Sequence, residues 1–526
     1  MRAIVTMMLA LGAATAARAQ TVRVEEQSIG MLQAEMAHGA ATSEAITRAY
    51  LARIAAMDRA GPSLRAVIAI NPDAIAEARA ADARHKAGRS LGPLDGIPIL
   101  VKDNVETSDP VATTAGSLAL KDNITHRDAP VIAGLRAAGA VILGKANLSE
   151  WANIRSTRAM SGWSAVGGLV RNPYALDRTA CGSSSGTGAA VAASFAAAGI
   201  GTETDGSVVC PSSVNGLVGL KPTIGLVSRT HVVPISHSQD TPGPMARSVK
   251  DVALLLDAMT TADRADPAMR GRPAPPRSYA AGLGAASLKG VRIAVLRPDM
   301  TPDLAATYDA ALGVLKKAGA VLVDVEEPKL DGLGEAEQTV LMTELKADLN
   351  AYLATTPPSV TTRTLADVIA FDEAHKAAEM PYFGQELFLA AEQTKGLDDP
   401  AYTSARAKSL DLAGRQGIDA MLKAANATLI VEPTYGPAWL SDPVYGDQYG
   451  GPSSATLPAV AGDPNLTVPM GLVDGLPAGL SFIGPAWSEQ RLLDAGYVYE
   501  QASRARTPPR YVPTVAVGAG VEGVRR

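Results

Sequence analysis

The chain of 526 residues is 47% apolar and 19% charged, enough for a large buried core and outside the range of a disordered or low-complexity protein. Its 48 basic and 53 acidic residues leave a net charge of −5 with no basic or acidic blocks, which excludes nucleic acid or an anionic membrane surface as an electrostatic partner. At about 150 residues per domain, length alone predicts three domains.

The first residues, MRAIVTMMLALGAATAARAQ, set Arg2 before an apolar run from Ala3 to Ala17 and close on Ala17-Arg18-Ala19. This is the pattern of a secretory signal peptide (1–19) cut before Gln20. The run is shorter than the ~20 residues of a membrane span. Cleavage removes Arg2 and Arg18, taking the charge from −5 to −7, and the mature protein is expected to be exported, periplasmic or secreted. Residues 20–88 read as a helical arm. Ile46, Tyr50, Ile54 and Met57 recur at helical spacing behind Thr42 or Ser43 as N-cap, and a second helix follows Asn71-Pro72 and closes at Gly88.

Next, Gly92 to Asn104 turns into the short apolar strand Pro98-Ile-Leu-Val, which ends on Lys102. Burying an ammonium is costly and drives its pKa down; the alternative is a strand-end lysine that reaches back to solvent. Val131 to Ala138, Ala140 to Leu143 and a helix near Asn147 to Ile154 read as βα repeats. The stretch from Cys181 to Pro211 then carries Ser183, Ser184 and Ser185 between Gly182 and Gly186, runs through small residues, and reaches Ser207 behind Gly206. Such density of small residues lets backbones approach closely and leaves amide N–H groups uncovered.

Val214 to Leu220 is apolar, Ser248 to Met259 is an amphipathic helix, and 261–289 reads as a surface connection. Val291 to Leu296, Asp303 to Ala318 and Ala320 to Val325 spell a right-handed βαβ unit on a mostly parallel sheet. The pattern from Glu335 to about Lys423 is helical, and Leu429 to Val431 returns to a strand. A Gly/Pro-rich loop follows with Tyr435, Trp439, Tyr445 and Tyr449, in a chain with 4% aromatics. Rings on such a loop either line a substrate cleft or fill the surface; Trp439, Tyr445 and Tyr449 are the cleft candidates. Two strands span Asn465 to Ile483 around the turn Asp474-Gly475-Leu476-Pro477. A helix from Glu489 to Ala502 precedes the tail, 511–526.

The six histidines show no metal-binding spacing and two cysteines cannot make a zinc cage, so no metal is expected. Gly182-Ser-Ser184-Ser-Gly186 matches the G-x-S-x-G nucleophile elbow, but the elbow needs a buried strand before it and Asn172 to Thr179 is polar and turn-like. The other reading joins Lys102, Ser183 and Ser207. A lysine stripped of its proton by burial serves as the base, Ser183 relays, and Ser207 attacks. The turn Thr204-Asp205-Gly206-Ser207 can aim successive N–H groups at one oxygen, as an oxyanion hole does.

These residues resemble the amidase signature family. The resemblance is carried by Pro98-Ile-Leu-Val-Lys102-Asp-Asn104, Cys181-Gly-Ser-Ser-Ser-Gly186, Gly201-Thr-Glu-Thr-Asp-Gly-Ser207, Gly216-Leu-Val-Gly-Leu-Lys-Pro-Thr223 and Leu476-Pro-Ala-Gly-Leu-Ser-Phe-Ile-Gly484. The interval 207 − 183 = 24 fits as well. It extends from about residue 40 to 505. It implies an α/β fold in one large catalytic domain (89–510) and not three: a mixed, mostly parallel sheet flanked by helices on both faces, with the βαβ unit and helical region of 261–430 inside it. It also implies Lys102 as base, Ser183 as the relay in a cis peptide, Ser207 as the acylated nucleophile, Ser184 as a supporting donor, and no cofactor. Asp205-Gly206 departs from the commoner Gly-Gly, and Val208-Val209-Cys210 from an Ile-Arg continuation. A backbone donor survives a change to Asp, so these departures bear on substrate range. The Thr-Glu-Thr-Asp-Gly-Ser version near Cys-Pro, together with export, looks most like the peptide amidase branch.

The expected partner is a peptide or small-molecule amide, with aryl and aliphatic amides as alternatives and neither nucleic acid nor membrane. A transamidase A-subunit or an inactive peptide-binding homologue are the competing readings. No signal bears on oligomeric state. Cys181 lies two residues before Ser183 and Cys210 three after Ser207, so contact between the serines brings the cysteines close, either as a disulfide or as two buried thiols.

Overall fold

The structure, a computed structural model, describes residues 22–515. The expected signal peptide and the end of the tail lie outside the described residues. Eleven strands form one sheet: β1 (Val67–Ile70), β2 (Pro98–Lys102), β3 (Val141–Ala146), β4 (Ala198–Glu203), β5 (Val218–Lys221), β6 (Thr241–Ala246), β7 (Arg292–Leu296), β8 (Val321–Val325), β9 (Leu429–Pro433), β10 (Asn465–Val473) and β11 (Leu476–Ile483). Their order is β1-β3-β2-β4-β6-β5-β10-β11-β9-β7-β8. A single sheet runs through the whole described chain, in place of the three domains that length predicted.

The sheet is mixed, as expected, but its balance is antiparallel. Among the described residues six strand pairings are antiparallel and four parallel. The parallel pairings fall in two patches, β3-β2-β4 and β9-β7-β8. In the second, β7 and β8 are joined by the helix Pro302–Lys317, the βαβ unit read from the sequence. Between the patches lie β6, β5, β10 and β11, whose neighbours run antiparallel; β10 and β11 are a hairpin closed at Asp474-Gly475. A hairpin needs only a tight turn, whereas a parallel neighbour needs a crossover. The arm, besides helices Ser43–Met57 and Ala74–Lys86, contributes the edge strand β1, which pairs with β3. At the other end the tail docks through Tyr511 and Val512 onto residues 173–176.

The segment near Asn147 to Ile154, expected as a helix, is a short 3₁₀ turn at Glu150–Asn153 with left-handed backbone at Trp151 (φ 49), Ala152 (φ 53) and Asn153 (φ 75). Left-handed backbone costs a non-glycine residue about 1–2 kcal/mol. It is held by the Trp151 N–H on Ala115 O (2.8 Å), by the Glu150 N–H on Trp163 O (2.9 Å), and by the Trp151 ring packed edge-on to Phe388 at 5.8 Å.

Register places the chemistry. Strand β2 is buried throughout and lies between β3 and β4, with Leu100 opposite Gly199 and Val101 opposite Ile200. Lys102 therefore ends β2 beside the carboxyl end of β4, the side of a parallel patch where loops build sites. Glycines in β4 admit the serine segment: a Cβ on Gly201 would stand 2.6 Å from Ser184 Oγ. The all-buried helix Ser185–Ala192 packs there.

Candidate active site

Lys102 is fully buried, with protein on both sides of its strand and no route to solvent for the ammonium. Its Nζ donates to Ser183 Oγ at 2.7 Å, to Thr202 Oγ1 at 2.8 Å and to Thr202 O at 3.2 Å. Asn104 Nδ2 also donates to Thr202 Oγ1, at 3.0 Å, and so fixes the hydroxyl that receives the lysine. Desolvation pushes the Lys102 pKa down to about 7, against a weaker upward pull from Asp240 and Glu203. The lysine is thus poised to exist in its basic form near neutrality.

Ser183 follows a cis peptide bond from Gly182. Ser184, the middle residue of the G-x-S-x-G match, turns inward: its Oγ donates to Thr202 O (3.1 Å) and accepts the Thr202 N–H (3.2 Å), stitching the serine segment to β4. It is fully buried and no strand precedes it, so it is not an elbow nucleophile.

Ser207 is 7% exposed and lines a cavity of about 280 Å³. Its carbonyl accepts the Ser184 N–H at 3.2 Å, which ties the two serine segments together. Ser207 Oγ has no hydrogen bond among the described residues, so the Lys102–Ser183 half of the relay is formed and the Ser183–Ser207 half is open. The cysteines reinforce the junction: Cys181 and Cys210 are disulfide-bonded, with Cα atoms 6.0 Å apart. This settles the alternative left open by the sequence.

The turn before Ser207 is built by Glu203, which sequence reasoning passed over. Its Oε2 accepts the N–H groups of Val208 (2.7 Å) and Val209 (2.9 Å), capping the helix Val209–Val214, and the Gly206 N–H faces the same carboxylate. The N–H groups of Thr204, Asp205, Gly206 and Ser207, the expected oxyanion set, make no hydrogen bond among the described residues. Gly206 has φ +81, and a Cβ there would come within 2.4 Å of Tyr435 Oη. Thr204 is held from the other side, its Oγ1 donating to the buried Asp240 at 2.6 Å. Asp205 accepts the Thr456 hydroxyl at 3.0 Å, and Gln239 Nε2 donates both to Glu337 Oε1 at 2.9 Å and to Thr204 O at 3.3 Å.

The aromatic loop divides. Trp439 and Tyr449 line the cleft with Ile154, Ile235 and Leu341, and their rings meet at 5.2 Å. Trp439 Nε1 donates to Asp447 (2.8 Å), which also takes the Ser161 hydroxyl (2.6 Å). Tyr445 does not belong: it is 66% exposed, because Asp442 Oδ1 accepts the N–H groups of Val444 and Tyr445 and closes a turn that carries the ring outward. Tyr435, in the same loop and not among the candidates, takes its place in the wall, its ring 5.3 Å from Tyr449.

Elsewhere, His237 spans Asp348 (Nδ1, 2.9 Å) and Glu344 (Nε2, 3.3 Å), a grouping whose donor atoms are close enough for a metal. Glu344 Oε1 is already taken by the hydroxyls of Ser238 and Tyr402, each at 2.6 Å. Hydrogen bonds account for the cluster. No helix among the described residues is long and apolar enough to cross a membrane.

The crystal structure of native peptide amidase from Stenotrophomonas maltophilia is 50% identical to the chain and superposes with a TM-score of 0.89, covering 93% of this chain and 99% of that one. A peptide amidase in complex with the competitive inhibitor chymostatin is 51% identical, with the same TM-score, over 92% and 99% of the two chains. The glutamyl-tRNA(Gln) amidotransferase A-subunit of Symbiobacterium thermophilum is 34% identical over 475 residues, 87% of this chain and 93% of that protein. The family model described as Amidase matches residues 45–493. A buried lysine on a serine, a second serine at an open cleft and this match over most of the chain lead to one conclusion: the chain belongs to the amidase family and is an amide-hydrolysing enzyme.

Proposed function

We propose that the enzyme cleaves carboxamides through an acyl-enzyme on Ser207, and that its substrates are C-terminally amidated peptides. The observation that carries the mechanism is the fully buried Lys102 hydrogen-bonded to Ser183 at 2.7 Å. With Lys102 neutral, Ser183 passes its proton to Nζ as it takes the proton of Ser207, and Ser207 Oγ attacks the amide carbonyl carbon. Negative charge develops on the carbonyl oxygen, facing the free N–H groups of the Thr204–Ser207 turn. The C–N bond breaks as the proton returns through Ser183 to the nitrogen, and ammonia departs. Water then attacks the Ser207 ester by the same relay, releasing the carboxylic acid and restoring the Ser207 hydroxyl. The relay requires Ser207 Oγ to close on Ser183 with substrate bound, a tightening common to hydrolase sites.

Peptide amides are favoured by the likeness to peptide amidases and by the wall of Tyr435, Trp439 and Tyr449, which extends the cleft beyond what acetamide fills. Export is part of the same proposal, supported by the leader pattern and by a disulfide, a bond that persists in oxidising compartments. The relationship to amidotransferase A-subunits keeps transamidation as the second reading. Ammonia release by the purified chain, without ATP or a second protein, from a panel of peptide, aryl and aliphatic amides separates the two. Turnover greatest on peptide amides is expected; dependence on a partner contradicts the proposal.

A further inference from the structure

Beside the cleft lies a second cavity, of about 210 Å³, that the acyl-enzyme scheme does not use. The two adjoin along three wall residues common to both, Ala152, Thr204 and Ile235. Tyr435, Trp439 and Tyr449 line the cleft and have no part in the second wall. Asn104 and Thr202, both buried, do line it, and they are the residues that hold Lys102: Thr202 Oγ1 accepts Lys102 Nζ at 2.8 Å and Asn104 Nδ2 at 3.0 Å. The cleft therefore carries the nucleophile and the aromatic wall, and the second cavity starts at the anchor of the proton relay.

The second wall suits an apolar guest. Val232, Val233, Ile235, Pro242 and Pro267 supply hydrocarbon, and the charged side chains among them are already partnered. Arg229 donates to Asp266 through Nε (2.9 Å) and Nη2 (2.5 Å), and His237 Nδ1 meets Asp348 at 2.9 Å. Asp240 accepts the Thr204 hydroxyl at 2.6 Å and the N–H groups of Ile235 (2.8 Å) and Ser236 (2.9 Å). Asn104 is different: it is 2% exposed, and its Oδ1 has no hydrogen-bond partner among the described residues. A buried acceptor left open is unfavourable until something supplies an N–H or O–H. As a cavity of roughly 150 Å³ holds benzene, the 210 Å³ here takes an aryl ring or a short alkyl chain.

We infer that this cavity receives the group carried on the amide nitrogen, so that the enzyme cleaves secondary amides with a compact apolar N-substituent as well as primary carboxamides. The inference rests on the acyl-enzyme reading of Ser207. In that reading the leaving nitrogen takes its proton from Ser183, whose Oγ is bonded to Lys102 at 2.7 Å. The nitrogen is thus turned toward the relay, and its substituent toward the cavity that starts at Thr202 and Asn104, while the acyl chain follows the aromatic wall. Ser207 Oγ bonds to the carbonyl carbon and the C–N bond breaks. Ser183 delivers to nitrogen the proton that Ser207 gave up, and a primary amine departs in place of ammonia. Water then splits the Ser207 ester into the carboxylic acid and the free hydroxyl. The amine supplies the donor that Asn104 lacks. Ala265 and Ala351, both exposed in the same wall, mark a way out that does not pass the acyl group.

The test compares kcat/KM for the primary amide and the anilide of one N-acetylated dipeptide, which share a single acyl-enzyme. The full chain and its Ala265→Phe and Ala351→Phe variants are measured; each variant fills the cavity from its exposed side, and two guard against one failing to fold. The parent is expected to cleave both amides. Each variant should lose roughly tenfold or more on the anilide and stay within about twofold of the parent on the primary amide. A parent that cleaves the primary amide and not the anilide would overturn the inference while leaving the acyl-enzyme intact. Equal losses on both amides, as expected if the cavity held part of the acyl chain or only supported the fold, would overturn it too. If Ser207→Ala cleaves the primary amide as fast as the parent, it is the acyl-enzyme reading that has failed, and the inference falls with it.

Discussion

Replacing Lys102, the proposed base, should stabilise the protein while abolishing its activity. Burial lowers the Lys102 pKa from 10.5 to about 7, whereas the unfolded chain keeps the ordinary value. Between these two pH values the unfolded state binds a proton that the folded state does not, so stability rises with pH through that window. The penalty is full below pH 7 and vanishes above about 10.5. At 1.36 kcal/mol per pH unit it comes to about 4 kcal/mol at pH 7, where the folded lysine is half ionised. Lys102→Met removes the penalty and forfeits three hydrogen bonds, to Ser183 Oγ and to two oxygens of Thr202, worth about 1 kcal/mol each. A net gain of about 1 kcal/mol remains at pH 7, and it should become a loss as pH approaches 10. Urea unfolding of parent and variant at about pH 7 and about pH 9.5 reads the sign directly. A variant less stable at pH 7 by as much as at pH 9.5 would refute the buried, depressed lysine. The same depression predicts that activity rises with pH through about 7.

Reduction of Cys181–Cys210, or replacement of both cysteines by alanine, reopens a loop of sequence separation 29. It should cost roughly 3–4 kcal/mol on the chain-entropy model, read as a lower urea midpoint, and should lower kcat by loosening the two serine segments; unchanged kcat would confine the bridge to stability. Trp439→Ala should reduce kcat/KM for peptide amides about tenfold or more and leave acetamide nearly untouched. Tyr445→Ala, outside the cleft, should change neither, and a loss equal to that of Trp439→Ala would show that the loop closes further over substrate.

The site was legible where chemistry forces a residue into an unusual place. A lysine ending an apolar strand, and serines embedded in glycine and alanine, break the usual surface patterns and made Lys102, Ser183 and Ser207 candidates; their separate roles came from the resemblance to the amidase signature family. Helices with caps were equally plain: Thr42 and Ser248, where two helices were expected to begin, each accept an N–H from the first turn. What escaped was long-range. Nothing in β5 or β6 says that their neighbours are antiparallel, because pairing partners lie far apart in the chain. The left-handed turn at Trp151 to Asn153 has no glycine to announce it and is imposed by Ala115, Trp163 and Phe388. Glu203 stood in the sequence only as a letter of the Gly201 to Ser207 motif, and its carboxylate gathers the amides after Ser207. Tyr435 and Tyr445 share one loop, and only the turn at Asp442 decides which ring faces the cleft.

The central claim is that Ser207 carries the acyl group. Acid-quenched mass spectrometry of the intact chain during turnover of a peptide amide, followed by peptide mapping, tests it without appeal to rates. The account predicts an adduct on Ser207 with the mass of the acid product minus water, lost on further incubation and absent from Ser207→Ala. An adduct on Ser183 or Ser184, or steady turnover by Ser207→Ala, would contradict it.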